Sequence, residues 1–203
     1  FDRVAVVVIR WFGGIKLGTG VVSLPYHSPY HVAERVTLLD HLSRGRLIFG
    51  VGPGALAYDA YQFGLRSDEL RPRMEESLDV ILALLRGERV TRRTDWFDLR
   101  DAKIQLRPYS QPGFEIAVTC TTSPAGPKLA GRHGISMLSL NATQVAGMST
   151  LRNNWEVAEE QAAKHGTSVD RRNWRLVGPM HIAETDEQAR RDVRHGLPKW
   201  IYY

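Results

Sequence analysis

The chain has 203 residues, 43% hydrophobic and 24% charged, with a net charge of +5 from 27 basic and 22 acidic side chains. This suits one globular domain with a sizeable core, and no apolar run approaches the ~18–20 residues that span a membrane. The basic residues are dispersed apart from Arg86 to Arg93. With no basic helix, aromatic platform or zinc spacing to organise them, nucleic-acid binding is set aside and a small anionic ligand is preferred. The single Cys120 excludes an intrachain disulfide and fits a reducing, cytoplasmic setting.

Residues 15–24 form an apolar run interrupted by Gly18-Thr19-Gly20, which predicts a first strand. Ser28-Pro29 then reads as a helix start. Val32, Val36, Leu39 and Leu42 recur at helical spacing, and Gly45 ends the helix. Residues 46–51 are almost continuously apolar, as in a strand buried on both faces. Strand, helix and strand in about forty residues make a βαβ unit, so the strands are parallel and ligands collect at their carboxyl ends.

A second helix is expected from Pro72, with Met74, Leu78, Ile81, Leu82 and Leu85 buried and Gly87 as its stop. Ala102, Ile104 and Leu106 alternate with polar residues, which suggests a short extension or hairpin between Val90 and Arg107. Further strands are expected at 115–120, 135–140 and 175–183, with helices at 124–133 and 148–165. The second of these helices turns Leu151, Trp155, Ala158 and Ala162 inward. Thr185 and Gln188 fit a capping box for a last helix that stops at Gly196. The result is an α/β fold with about five strands, each followed by a helix, and no internal domain boundary.

Two motifs admit both a structural and a chemical role. Gly18-Thr19-Gly20 is a tight turn, or a floor on which a planar ring lies. Thr121 to Gly126 sits between a strand and a helix, where hydroxyls and free N–H groups suit a phosphate. Plain capping by Ser123, with Pro124 at the first helical position, satisfies the same pattern. Gly50, Gly52 and Gly54 lack the spacing of a dinucleotide motif. The histidines show no metal spacing; His27 follows a strand end and either faces a ligand or is solvated. Cys120 ends an apolar strand without a basic neighbour, so a buried, inert thiol is expected.

The stretch GTGVVSLPYHSPYHVAERVTLLDHLSRGRLIFGVGPGAL, followed by RPRMEESLDVILALL, resembles the bacterial luciferase-like flavin-dependent monooxygenases, in particular limonene-monooxygenase-type members. DWFDLRDAKIQLRPY, TTSPAGPKLAGRHG and RLVGPMHIAETDEQAR extend the likeness over nearly the whole chain. The resemblance implies a (β/α)₈ TIM barrel of which roughly strands three to seven are present, as one incomplete domain over 1–203, with 1–14 an atypical segment. A closed barrel needs ~250 residues, so two open sheet edges are expected.

The resemblance further implies reduced FMN, or alternatively the deazaflavin F420, at the barrel mouth. The flavin ring would lie over Thr19, Gly20 and Val21, with a cis peptide at Gly20-Val21 and Gly52 allowing close approach. The phosphate would lie near Thr122, Ser123 and Gly126. Some members carry an arginine where this chain has Pro53, so that contact is absent here. FMN members use O2 to oxygenate a small organic substrate, F420 members transfer hydride, and a truncated barrel without catalysis is a third possibility. His27 is a candidate for the substrate side. A separate flavin reductase and a homodimer are the implied partners.

Overall fold

The computed structural model describes residues 14–202 apart from 141, 143, 144 and 179. Nearly all of the atypical first segment therefore lies outside the described residues. Two short strands, β1 (Leu17–Gly18) and β2 (Val22–Ser23), occupy the first predicted strand. Both pair in parallel with β3 (Leu47–Gly52). The Gly20–Val21 peptide between them is cis, as the resemblance implied.

Helix α1 (Pro29–Ser43) connects β2 to β3 and ends through Arg44 and Gly45 in left-handed conformation. Its buried face differs from the expected one. Val32, Ala33, Val36, Thr37, Asp40 and Ser43 point inward, while Leu42 is 47% exposed. Asp40 decides the rotation. Its carboxylate is fully buried and accepts hydrogen bonds from the Ser110 N–H and hydroxyl, both at 2.8 Å. A carboxylate tolerates burial only with such partners, so the helix turns to meet them.

A short helix that the sequence pattern did not predict, α2 (Ala57–Gln62), follows β3. Next come α3 (Leu70–Leu85) and an antiparallel hairpin, β4 (Val90–Arg93) with β5 (Asp98–Ala102). The chain continues through β6 (Glu115–Cys120), α4 (Ala125–His133), β7 (Ser136–Ser139), α5 (Val145–His165) and β8 (Arg175–Leu176). Helices α6 (Asp186–Val193) and α7 (Leu197–Tyr202) complete it; only the first of these two was expected. Thr185 accepts the Gln188 N–H at 3.2 Å, which is half of the expected capping box.

The main sheet runs β1, β3, β6, β7, β8, with β2 also on β3, and every pairing is parallel. Strands adjacent in space follow one another in chain order, as in a (β/α) barrel; a doubly wound sheet reverses direction at a switch point. Phe49, Val51, Val118 and Met137 on the strands pack with Leu78, Ile81 and Leu84 of α3 in one buried core.

The last strand is far shorter than the predicted 175–183. Val177 still donates to the Ser139 carbonyl at 2.9 Å and accepts from Ala142 N–H at 3.2 Å. Beyond it Met180 and Ile182 are 84% and 82% exposed. Alternating apolar residues became strand only where a neighbouring strand was there to pair with them.

Candidate cofactor site at the strand ends

The carboxyl ends of β2, β3 and β6 and the first turns of α3 and α4 enclose a cavity of about 550 Å³. Parallel strands end together on one face of a barrel, and the loops that follow them supply the walls. Gly20, Val21, Gly52, Ser123 and Gly126 line this cavity. Thr19, Thr122 and His27 are not among the lining residues.

Thr19 holds the floor in place. Its hydroxyl donates to the Gly50 carbonyl at 2.9 Å and accepts the Gly50 N–H at 2.8 Å. The break between β1 and β2 is thereby tied to β3. A Cβ on Gly52 would come within 2.8 Å of Val21 Cγ2 and 3.0 Å of Thr119 Oγ1, so this glycine makes room for protein side chains. Gly20 is different. A Cβ there would meet nothing within 4 Å, so the space above the cavity floor is open.

This gives a prediction that separates fold from binding. Beyond its two chain neighbours, the new methyl group of Gly20→Ala meets no protein atom within 4 Å, so the melting temperature should stay within about 2 °C of the parent. A planar ring resting on that floor would be lifted by the new methyl group and lose about tenfold in affinity. Thermal unfolding and flavin titration of the same sample check both halves. Unchanged flavin affinity would place the ring elsewhere.

The α4 end of the cavity is polar. The helix begins at Ala125 with Pro124 at the N-cap, one residue later than expected. The Ser123 hydroxyl still accepts the Ala125 N–H at 3.3 Å, and it also accepts from Arg71 Nη1 at 3.1 Å. Thr121 lines the cavity beside it, its carbonyl held by Asn154 Nδ2 at 3.0 Å. Thr122 is exposed in the same turn.

Sequence reasoning missed Arg71. A helix start at Pro72 left it in a loop, whereas α3 starts at Leu70. A signal was present: a cation in the first turn of a helix opposes the macrodipole, so it calls for another reason to be there. That reason is the cavity, which Arg71 lines together with Asp59 and Glu75.

His27 is exposed, and its pKa is lowered, first by desolvation and then by the nearby Arg35 charge. Cys120 is buried with its thiol pushed up to about 12 by desolvation, the inert cysteine that was expected. Among the described residues, no group of three His, Cys, Asp or Glu is placed to hold a metal ion, and no helix is long and apolar enough to cross a membrane.

A parallel partial barrel with a cavity at its strand ends is the scaffold of an α/β-barrel enzyme. The chain belongs to the luciferase-like monooxygenase family, whose sequence profile matches residues 13–202. It is 58% identical over 183 residues to limonene 1,2-monooxygenase of Rhodococcus erythropolis, covering 90% of this chain and 47% of that protein. It is 46% identical over 192 residues to 4-hydroxyprotoasukamycin monooxygenase of Streptomyces nodosus subsp. asukaensis, covering 93% and 51%. The chain thus spans about half the length of these relatives.

Solved structures show the same fold. A monooxygenase from Streptomyces bottropensis superposes with a TM-score of 0.85 at 20% identity, covering 97% of this chain and 59% of that one. The oxygenating constituent of 3,6-diketocamphane monooxygenase from Pseudomonas putida, solved in complex with FMN, gives 0.79 at 24% identity, covering 98% and 60%. The partial barrel expected from the sequence is therefore the observed fold.

Proposed function

We propose that this chain is the flavin-holding part of a luciferase-like monooxygenase that uses reduced FMN and O2 to oxygenate a small organic substrate. The observation that carries this is the meeting of Arg71 and Ser123 at the head of α4, in the same cavity as the open floor at Gly20. A guanidinium, a hydroxyl and a helix N-terminus at one end suit a phosphate monoester. An unobstructed backbone floor at the other end suits a flat ring.

The residues fit FMN as follows. Arg71 and Ser123 hold the phosphate, with Thr122 as a further hydroxyl donor in the same turn. Gly20 and Val21 carry the ring, Thr19 fixes that floor to β3, and Gly52 and Gly126 let the elements close around the site. Val118, Leu129 and Leu140 supply apolar wall that keeps water from the ring. Reduced FMN, when bound, supplies the electrons for oxygen activation; the protein binds, orients and dries it. The solved relative described as an oxygenating constituent supports a separate reductase as the source of reduced flavin. A cytoplasmic homodimer completes the proposal.

Titration with FMN, riboflavin and F420 tests it. FMN is expected to bind most tightly, because riboflavin lacks the phosphate. Arg71→Ala should lower FMN affinity about tenfold, the loss of one charge-assisted contact, and leave riboflavin unchanged. Tighter binding of F420 would turn the assignment to hydride transfer. Failure to bind any of the three would leave a barrel without cofactor chemistry.

A further inference from the structure

We propose that the tip of the β4–β5 hairpin positions Arg71, with Trp96 as the positioning residue. This rests on the phosphate site proposed above. The first two turns of α3 are engaged from two sides. Arg71 and Glu75, one turn apart, face the cavity. Arg73 and Glu76, on the same two turns, face the hairpin tip.

Trp96 Nε1 donates to Glu76 Oε2 at 2.8 Å. The Arg73 guanidinium lies 5.5 Å from the centre of the Trp96 ring. Arg73 also pairs with Glu69 at 3.4 Å and with Asp95 at 3.7 Å, and its side chain is only 17% exposed. Glu69 in turn accepts the Arg66 N–H at 2.7 Å. The hairpin tip is itself a closed turn, with Thr94 Oγ1 accepting from the Trp96 and Phe97 N–H groups at 3.3 and 3.1 Å. One network therefore grips α3 from the residues before its start to its second turn.

A guanidinium ends a long side chain, so a small rotation of the helix is magnified at its tip. Hydrogen bonds weaken steeply with poor angle and distance, and the cavity contact is the one that would suffer. The core anchors this part of α3 through Leu70 and Met74, which fix its depth. The tie to Trp96 fixes its rotation.

The test uses the full chain and compares FMN with riboflavin. Trp96→Phe keeps a ring and loses the N–H donor. FMN affinity should fall about three- to tenfold while riboflavin affinity stays within about twofold. Arg73→Lys, which keeps the charge and loses the flat cation over the ring, carries the same expectation. Glu76→Gln keeps an acceptor oxygen for Trp96 and should bind FMN like the parent. In an Arg71→Ala background, Trp96→Phe should cost nothing further. Equal losses for both flavins, a loss that persists without Arg71, or no loss at all would overturn the proposal. If Arg71→Ala weakens FMN and Trp96→Phe does not, the phosphate site stands and this inference alone fails. A parent that binds neither flavin overturns both.

Discussion

Ser123→Asp should lower FMN affinity about a hundredfold or more while leaving the protein as stable as the parent. The Ser123 oxygen accepts two hydrogen bonds, from Ala125 N–H and from Arg71 Nη1. An aspartate keeps both acceptor roles, and carboxylates are favoured at helix starts. The fold loses nothing. The phosphate loses twice, because the new charge repels it and Arg71 is now neutralised by a neighbour. Ser123→Ala removes a single hydroxyl and should cost about 1–2 kcal/mol of binding. Riboflavin should bind both variants like the parent. Fluorescence titration with the two flavins and a thermal melt measure all of this, and Ser123→Asp binding FMN at parent affinity would reduce Ser123 to a helix cap.

Gly126→Ala should destabilise the protein by about 3 kcal/mol or more, at the upper end of overpacking costs. Helix propensity alone forecasts the opposite sign, since alanine is better than glycine inside a helix by about 1 kcal/mol. Packing overrides it here. A Cβ at Gly126 would overlap the Thr119 carbonyl oxygen and lie 3.0 Å from Cys120 Sγ. The first obstacle is backbone in a central strand and cannot turn aside as a side chain would. Denaturant unfolding followed by circular dichroism reads the shift in midpoint. The same change should weaken FMN, because the head of α4, with Ser123 just before it, forms the end of the cavity proposed to hold the phosphate. Unlike Ser123→Asp, it does so with a loss of stability. A midpoint equal to the parent's would show that α4 can back away from β6.

Local pattern was enough for much of this architecture. Buried parallel strands announce themselves as apolar runs, and the helices between them by spacing and by stops such as Gly45 and Gly87. The strands at 46–51, 115–120 and 135–140 were legible because a parallel strand covered on both faces reads as a nearly continuous apolar run. The turns at Gly18-Thr19-Gly20 and around Ser123 were legible through a glycine pair and a hydroxyl run at strand ends, whereas the cis Gly20–Val21 peptide was implied by the family resemblance alone. Tertiary structure decided the rest, wherever the partner is far away in the chain. Asp40 turned α1 because Ser110 lies across from it, 70 residues on. Met180 and Ile182 had the composition of a strand, yet they are exposed and pair with no strand among the described residues. Arg71 reached the site because folding brings α3 beside α4, setting its guanidinium against a hydroxyl 52 residues away. Periodicity records which face of an element is apolar; it carries no record of which distant polar group that element must meet, and the candidate site is made of such meetings.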